Sequence, residues 1–146
     1  MSGAALLDVN VLIALFDPGH AHHEPAHDWF ADNASPGWAT CPVTEAGFIR
    51  VLSALGSPAL RPGTLVNRLR QFRSSPAHEF WPDTISLTDT AVFDLTFASQ
   101  RNLTDVYLLG LANTRGGRLA TFDRTIPLKA VVGARHGLLE IIAPAT

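Results

Sequence analysis

The sequence predicts an α/β fold, a three-layer α/β/α sandwich in which helices cover both faces of a mainly parallel sheet. Short apolar runs of strand length alternate along the chain with longer segments whose apolar residues repeat every three or four positions. Hydrophobic residues make up 47% of the 146 positions, which is enough for one sizeable core and excludes intrinsic disorder. A chain of this length is expected to form one domain, spanning residues 1–146.

The first half of the chain alternates short apolar runs with periodic segments. The opening run is too short for a helix and ends at an acid, which is typical of a buried parallel strand, and Asp17-Pro18-Gly19 stops the helix that follows. Thr44 is expected to cap the third helix, which stops at Gly56. The predicted elements are a strand at residues 4–8, helices at 10–16 and 24–34, a strand at 38–41, helices at 44–55 and 64–74, and a strand at 79–81.

The second half continues the alternation. Thr88 or Asp89 is expected to cap one helix and Thr104 another, which Gly116 and Gly117 end. The predicted elements are helices at residues 88–100 and 104–115, a strand at 118–122 that is followed by Asp123, and a final strand at 138–142. A parallel sheet of this kind binds ligands beyond the carboxyl ends of its strands.

Composition also limits the functional class. The single cysteine, Cys41, cannot form an internal disulfide, and Asp8 interrupts the first apolar run too early for a signal peptide or a membrane span. The sequence therefore predicts a cytoplasmic protein with no membrane association. Charged residues are only 16% of the chain, so self-association is expected. The apolar helix faces expected to leave surface for a partner are those of Val11, Leu12, Ala14 and Leu15, and of Leu108, Leu109 and Leu111.

Four acids stand where predicted elements meet. Asp8 and Asp123 close strands, whereas Glu45 and Asp105 lie in the first turns of helices, so all four are expected at the same edge of the sheet. Two carboxylates ~4 Å apart repel by roughly 4 kcal/mol at an effective dielectric near 20, so such a cluster needs protons or a cation. Carboxylate oxygens favour Mg²⁺ or Mn²⁺ over zinc.

A purely structural explanation exists for some of these acids. An acid in a first helical turn is stabilised by the helix dipole, which applies to Glu45 and Asp105. In the same explanation, Asp123 only begins the turn before Arg124. Asp8 is harder to explain in this way, because it ends a buried strand and would otherwise be unpaired near the core.

The motifs LLDVNVLIALF, TEAGFIRVL, LTDVYLLGLA and ATFDR, in this order, resemble those of the PIN-domain family, and most closely its VapC-type toxin ribonucleases. The resemblance covers nearly the whole chain. It implies an α/β/α fold and a Mg²⁺- or Mn²⁺-dependent endoribonuclease that leaves 5′-phosphate and 3′-hydroxyl ends. It also implies a cognate antitoxin and a homodimer. The positions that it carries over as catalytic and metal-binding are Asp8, Glu45, Asp105 and Asp123, with Asn10 and Thr121 near the site.

A basic segment offers a place for RNA. Residues 46–78 contain no acid and five arginines, although the net charge of the whole chain is −2. Arg68, Arg70 and Arg73 lie on the polar face of one predicted helix and are predicted to bind RNA phosphates. The simpler alternative is a solvated helix face.

Two other functions fit parts of the sequence. His23-Glu24-Pro25-Ala26-His27 matches the H-E-x-x-H pattern of zinc peptidases, although Pro25 removes a backbone donor inside the motif. A receiver-like signalling module would also hold Mg²⁺ in an acidic pocket, with Lys129 as its basic residue. Such modules carry two adjacent acids after the first strand, whereas Val9 follows Asp8 here.

Overall fold

A five-stranded, fully parallel sheet forms the centre of the molecule. The computed structural model describes residues 3–143. The strand order is β3-β2-β1-β4-β5, so the first strand lies in the middle and Leu6 is paired with both Ala39 and Leu119. The strands are β1 Ala5–Leu7, β2 Trp38–Thr40, β3 His78–Phe80, β4 Arg118–Thr121 and β5 Leu139–Ile141. All five predicted strands and their parallel arrangement are confirmed.

Within residues 3–143, five α-helices cover the sheet. They are α1 Val9–Phe16, α2 His23–Asn33, α3 Pro42–Ser53, α4 Pro62–Phe72 and α5 Leu103–Thr114. Alternate residues of the strands face opposite layers: Leu6 packs in one core with α5, and Ala5 and Leu7 pack in the other with α1 to α4. The three-layer sandwich is therefore confirmed. No helix within residues 3–143 is long and apolar enough to cross a membrane.

Strand β1 passes directly into helix α1. Asp8 is the N-cap, and its Oδ1 accepts a hydrogen bond from the Val9 N–H at 2.7 Å. The helix continues to Phe16 and buries the residues from Val11 to Leu15. The apolar faces of α1 and α5 thus belong to the core, so the expectation that they leave surface for a partner is wrong.

Helix α3 begins earlier than predicted. Pro42 occupies its first position, and Cys41, not Thr44, is the N-cap. Thr44 lies one turn in, where its hydroxyl accepts a hydrogen bond from the Cys41 N–H at 3.0 Å. The helix ends at Ser53, and Gly56 with its φ of +79° belongs to the following turn.

The predicted helix at residues 88–100 is wrong. The segment holds turns and the single 3₁₀ turn Leu95–Phe97, and a second 3₁₀ turn, Gln100–Asn102, leads into α5. Asp94 Oδ1 accepts hydrogen bonds from both the N–H and the hydroxyl of Thr96, and such local bonds compete with a helix. Phe93 also forms an antiparallel bridge with Val131. Helix α5 then starts at Leu103 with Asn102 as its N-cap, so the predicted cap at Thr104 is also wrong.

Candidate active site

Three aspartates meet at the carboxyl edge of the sheet. Asp8 follows β1 directly, Asp123 follows β4 by two residues, and Asp105 lies in the first turn of α5. The strands β1 and β4 are neighbours, so their carboxyl ends present Asp8 and Asp123 side by side. The negative charge of Asp123 acts on Asp8, and the charges of Asp8 and Asp123 both act on Asp105.

Asp8 is the fixed and buried member of this group, with 6% of its surface exposed. Besides capping α1, it accepts a hydrogen bond on Oδ2 from the Thr121 hydroxyl at 2.7 Å. Burial raises the pKa of Asp8, the hydrogen bonds from Thr121 and Val9 lower it, and the charge of Asp123 raises it again. Its net shift is upward, which is the response of a carboxylate held in a dry, negatively charged site.

Asp105 shows the same effect at a less buried position. Burial is the main cause that raises its pKa to about 6, and the charges of Asp8 and Asp123 add to it. Asp123 is oriented differently, because its Oδ1 accepts hydrogen bonds from the N–H of Thr125 at 2.8 Å and from its hydroxyl at 2.6 Å. The three carboxyl groups therefore come from separate elements, and the negative charge of Asp123 contributes to the raised pKa of both Asp8 and Asp105.

Thr121 connects two of these aspartates. It ends β4, is buried, and donates its hydroxyl proton to Asp8 while accepting the backbone N–H of Asp123 at 3.1 Å. Asn10 lies nearby in sequence, on an exposed position of α1. The structure thus gives Thr121 a defined part in holding the site.

Glu45 has different neighbours. It lies in the first turn of α3 and is only partly exposed. Its Oε2 accepts a hydrogen bond from the Thr40 hydroxyl at 2.7 Å and lies 3.0 Å from Nη1 of Arg73. Glu45 is thus balanced by a cation of the protein itself, whereas none of the three aspartates forms an ion pair with another described residue.

Thr40 and His78 are site residues that the sequence analysis missed. Thr40 is fully buried at the end of β2, and its hydroxyl oxygen lies 2.8 Å from Nε2 of His78 at the start of β3. A visible signal exists, because Thr40 and Thr121 are both polar residues that close a buried strand at the carboxyl edge of the sheet. His78 has no comparable signal, since its contact depends on the pairing of β2 with β3.

The donor chemistry of this edge suits a hard divalent ion, because every candidate ligand is a carboxylate or hydroxyl oxygen. Burial is the main cause of the raised pKa of Asp8 and of Asp105, and neighbouring carboxylates raise both further. Within residues 3–143, no group of three or more His, Cys, Asp or Glu side chains is arranged to hold a metal ion as the side chains stand. The oxygen donors of these acids are therefore suited to a divalent metal ion. Binding of one ion by several of them would require their side chains to turn toward one another.

The arginines of α4 are placed differently from one another. Arg68 lies over the ring of Phe16, 5.2 Å from its centroid, and Arg70 donates to Oδ1 of Asn67 at 2.6 Å. Both are exposed, whereas Arg73 is paired with Glu45. A groove of about 410 Å³ runs between α3 and α4, and its lining includes Glu45, Arg70 and Arg73.

The H-E-x-x-H histidines bind the protein backbone. Nδ1 of His23 lies 2.6 Å from the Ala14 carbonyl oxygen, and Nε2 of His27 lies 2.8 Å from that of Leu15. A carbonyl oxygen only accepts, so both rings donate, and they fasten α2 to the end of α1. Lys129, the basic residue of the receiver alternative, lies over the ring of Phe97 at 5.8 Å.

Comparisons with known proteins identify the family and support the fold. A family profile described as PIN domain matches residues 5–132. The chain is 42% identical over 132 residues to Ribonuclease VapC44 of Mycobacterium tuberculosis strain ATCC 25618 / H37Rv, a match that covers 89% of this chain and 93% of the relative. It is 41% identical over 141 residues to Ribonuclease VapC39 of the same strain, covering 94% and 99%.

A solved structure shares the fold. The crystal structure of Mycobacterium tuberculosis VapC20, described as a sarcin-ricin loop cleaving toxin, superimposes with a TM-score of 0.63. The match covers 88% of this chain and 99% of that one at 14% sequence identity. At this identity, the likeness supports the fold alone.

Proposed function

The chain belongs to the PIN-domain family, and from this premise we propose that it is a VapC-type endoribonuclease in which residues 1–146 form one nuclease domain. The observation that carries the proposal is the meeting of Asp8, Asp105 and Asp123, from three separate elements, at the carboxyl edge of a parallel sheet. The curated relatives that match most of the chain are named as ribonucleases. The protein is the toxin of a toxin-antitoxin pair.

Family membership makes a divalent metal ion the expected cofactor, and we assign Mg²⁺ or Mn²⁺ on the basis of the all-oxygen donor set. Asp8 and Asp105 are the primary ligands, and Glu45 and Asp123 bind directly or through water. The chemistry supplied by such an ion, when bound, is a lowered pKa of water and stabilisation of charge on the leaving oxygen.

The residues of the chain prepare this site before substrate arrives. Hydrogen bonds from Thr121 and from the N-terminus of α1 fix the orientation of the Asp8 carboxylate. The carboxylate therefore does not need to reorient when the reaction begins. Water attacks phosphorus and the bond to the 3′ oxygen breaks, which leaves a 5′-phosphate and a 3′-hydroxyl. Asp105 and Asp123 keep the edge negative, so RNA is held by cations elsewhere on the surface.

Those cations are the arginines of α4. Arg68 and Arg70 are exposed, and Arg73 borders the groove that leads to Glu45. Each phosphate that such a residue neutralises releases counterions, which gives binding that weakens as salt rises. The three arginines thus supply affinity for RNA, which the negatively charged carboxylates repel.

The protein partners are a cognate antitoxin and a second copy of this chain, in the cytoplasm. Large apolar side chains are available for such contacts outside the core. Leu55 is 64% exposed, and Phe97 is 49% exposed on the opposite layer. Size-exclusion chromatography coupled to light scattering gives the mass of the free protein in solution, and a monomer would refute the dimer.

Cleavage of RNA tests the proposed function. Purified protein is incubated with total RNA in Mg²⁺ or in EDTA, beside Asp8→Asn and the control Asp32→Asn, an exposed acid on α2. We expect cleavage only with the metal, and a loss of roughly 100-fold or more in Asp8→Asn with the fold intact. Undiminished turnover by Asp8→Asn would refute the assignment.

A further inference from the structure

Glu45 is held from two sides by groups of very different character. On one side lies the hydroxyl of Thr40, which donates to Oε2 at 2.7 Å. On the other lies Nη1 of Arg73, 3.0 Å from Oε2 and 3.4 Å from Oε1. Both carboxylate oxygens are therefore engaged within the protein.

The Thr40 side is rigid. Thr40 is fully buried, and its hydroxyl has one proton, which it gives to Glu45. The contact with Nε2 of His78 at 2.8 Å must then be a donation from the ring to the hydroxyl oxygen. Burial is the main cause that lowers the pKa of His78 to about 4, so the ring is neutral, and its donation to Thr40 places the single ring proton on Nε2. These two hydrogen bonds, from His78 to Thr40 and from Thr40 to Glu45, hold the Glu45 carboxylate in its orientation even when Arg73 is not paired with it.

The Arg73 side is open. The Arg73 side chain is 35% exposed, compared with 18% for Glu45, and Arg73 is the C-cap residue of α4, beside the groove. Its guanidinium lies over the ring of Phe80, 4.8 Å from the centroid, so the ring supports it without occupying its hydrogen-bond donors. Only Nη1 contacts Glu45, which leaves the other donors of the guanidinium for an anion arriving from solvent.

An arginine in this position has two possible anionic partners. A guanidinium binds a phosphate as readily as a carboxylate, and often with two parallel hydrogen bonds. A carboxylate paired with a guanidinium is a poorer ligand for a divalent cation, because the two positive groups compete for the same oxygens. RNA that takes Arg73 would thereby release Glu45 to the metal.

We propose that Arg73 is a positioning residue that couples RNA binding to metal binding, by pairing with Glu45 in the free protein and with an RNA phosphate in the complex. The proposal rests on the proposed function, because it takes Glu45 as a metal ligand. Thr40 keeps Glu45 in place during the exchange. The coupling is reciprocal: RNA strengthens metal binding, and metal strengthens RNA binding by the same factor.

The coupling is measured in two arms that avoid cleavage. Mn²⁺ affinity is measured without RNA, from the free Mn²⁺ signal in electron paramagnetic resonance, and RNA affinity is measured in EDTA, from the anisotropy of a fluorescent single-stranded RNA. We expect Arg73→Met to bind Mn²⁺ at least about fivefold more tightly than the wild type, the low end of typical couplings, and to bind RNA more weakly. The matched control is Arg50→Met, which removes an exposed cation from α3 and leaves Mn²⁺ affinity unchanged.

A double-mutant cycle shows whether Arg73 acts through Glu45. In a Glu45→Gln background, Arg73→Met is expected to have no effect on Mn²⁺ affinity, because the paired carboxylate is gone. The proposal is overturned if Arg73→Met binds Mn²⁺ no more tightly than the wild type, if its RNA affinity in EDTA is unchanged, or if its gain persists in the Glu45→Gln background. These outcomes differ from failure of the proposed function, which is the absence of RNA cleavage by the wild-type protein in Mg²⁺.

Discussion

The hydroxyl of Thr121 donates to Oδ2 of Asp8 at 2.7 Å, across the pairing of β4 with β1. This hydrogen bond favours the ionised form of Asp8, against burial and the charge of Asp123. Thr121→Val keeps the shape of the side chain and removes the donor, so we expect the pKa of Asp8 to rise further and the cleavage rate near neutral pH to fall about tenfold. Thr121→Ser is expected to retain most of the activity, and equal loss in both variants would contradict this role.

The raised pKa of Asp105 predicts that this residue destabilises the metal-free protein. A carboxyl whose pKa is about 6 in the fold, compared with its usual 3.8, stabilises the fold below pH 3.8, and this contribution is lost as the pH rises through 6. In EDTA at pH 7.5, Asp105→Asn is therefore expected to be about 1 kcal/mol more stable than the wild type, after allowance for solvent screening, and to melt ~3 °C higher. Thermal unfolding at pH 7.5 and pH 4 checks this, because a gain of equal size at both values would have another origin.

The exposed arginines of α4 predict the salt dependence of RNA binding. If Arg68 and Arg70 each neutralise one phosphate, the double variant Arg68→Gln/Arg70→Gln should lower the slope of log affinity against log salt by about 1.4, at ~0.7 for each contact with a single strand. Arg115→Gln is the matched control, because Arg115 lies at the other end of α5 from Asp105. Fluorescence anisotropy in EDTA over a series of salt concentrations measures the slope, and an unchanged slope in the double variant would place RNA elsewhere.

The histidines of the H-E-x-x-H motif predict a structural effect. His23 and His27 donate to the carbonyls of Ala14 and Leu15, so His23→Ala/His27→Ala is expected to lose on the order of 1–3 kcal/mol of unfolding free energy. RNA cleavage per folded molecule should stay at the wild-type level. Chemical denaturation measures the loss of stability, and zinc content and RNA cleavage are compared between the two proteins. Zinc held tightly by the wild type and lost in the double variant would revive the metallopeptidase hypothesis.

The sequence was sufficient to predict those features that depend on neighbouring residues. The short apolar run before Asp8 predicts β1. Apolar patterns, together with cap and stop residues, predict α1 to α5 with ends shifted by a few residues. The segment around Phe93 was predicted wrongly, because its backbone is taken by a bridge to Val131 that lies 38 positions along the chain. Local periodicity carries no information about such a contact.

The candidate site divides in the same way. Asp8, Asp105 and Asp123 could be predicted to meet, since the carboxyl ends of parallel strands and the helix that follows share one edge. The pairing of Glu45 with Arg73 could not, because it depends on how α4 packs against α3. The sequence predicts RNA binding by Arg73 from its positive charge alone. The structure shows that the same charge is also paired with the carboxylate of Glu45.

The absence of any loop between β1 and α1 constrains how this site can evolve. Asp8 is both the residue after the central strand and the cap of the first helix, so moving its carboxylate would displace two layers of the fold together. A change in preferred ion radius would have to be accommodated at Asp105 and Asp123, which lie in a helix and a turn of their own. In variants selected for activity with another metal, substitutions should therefore accumulate around Asp105 and Asp123, whereas Asp8 and its neighbours in β1 and α1 should remain unchanged.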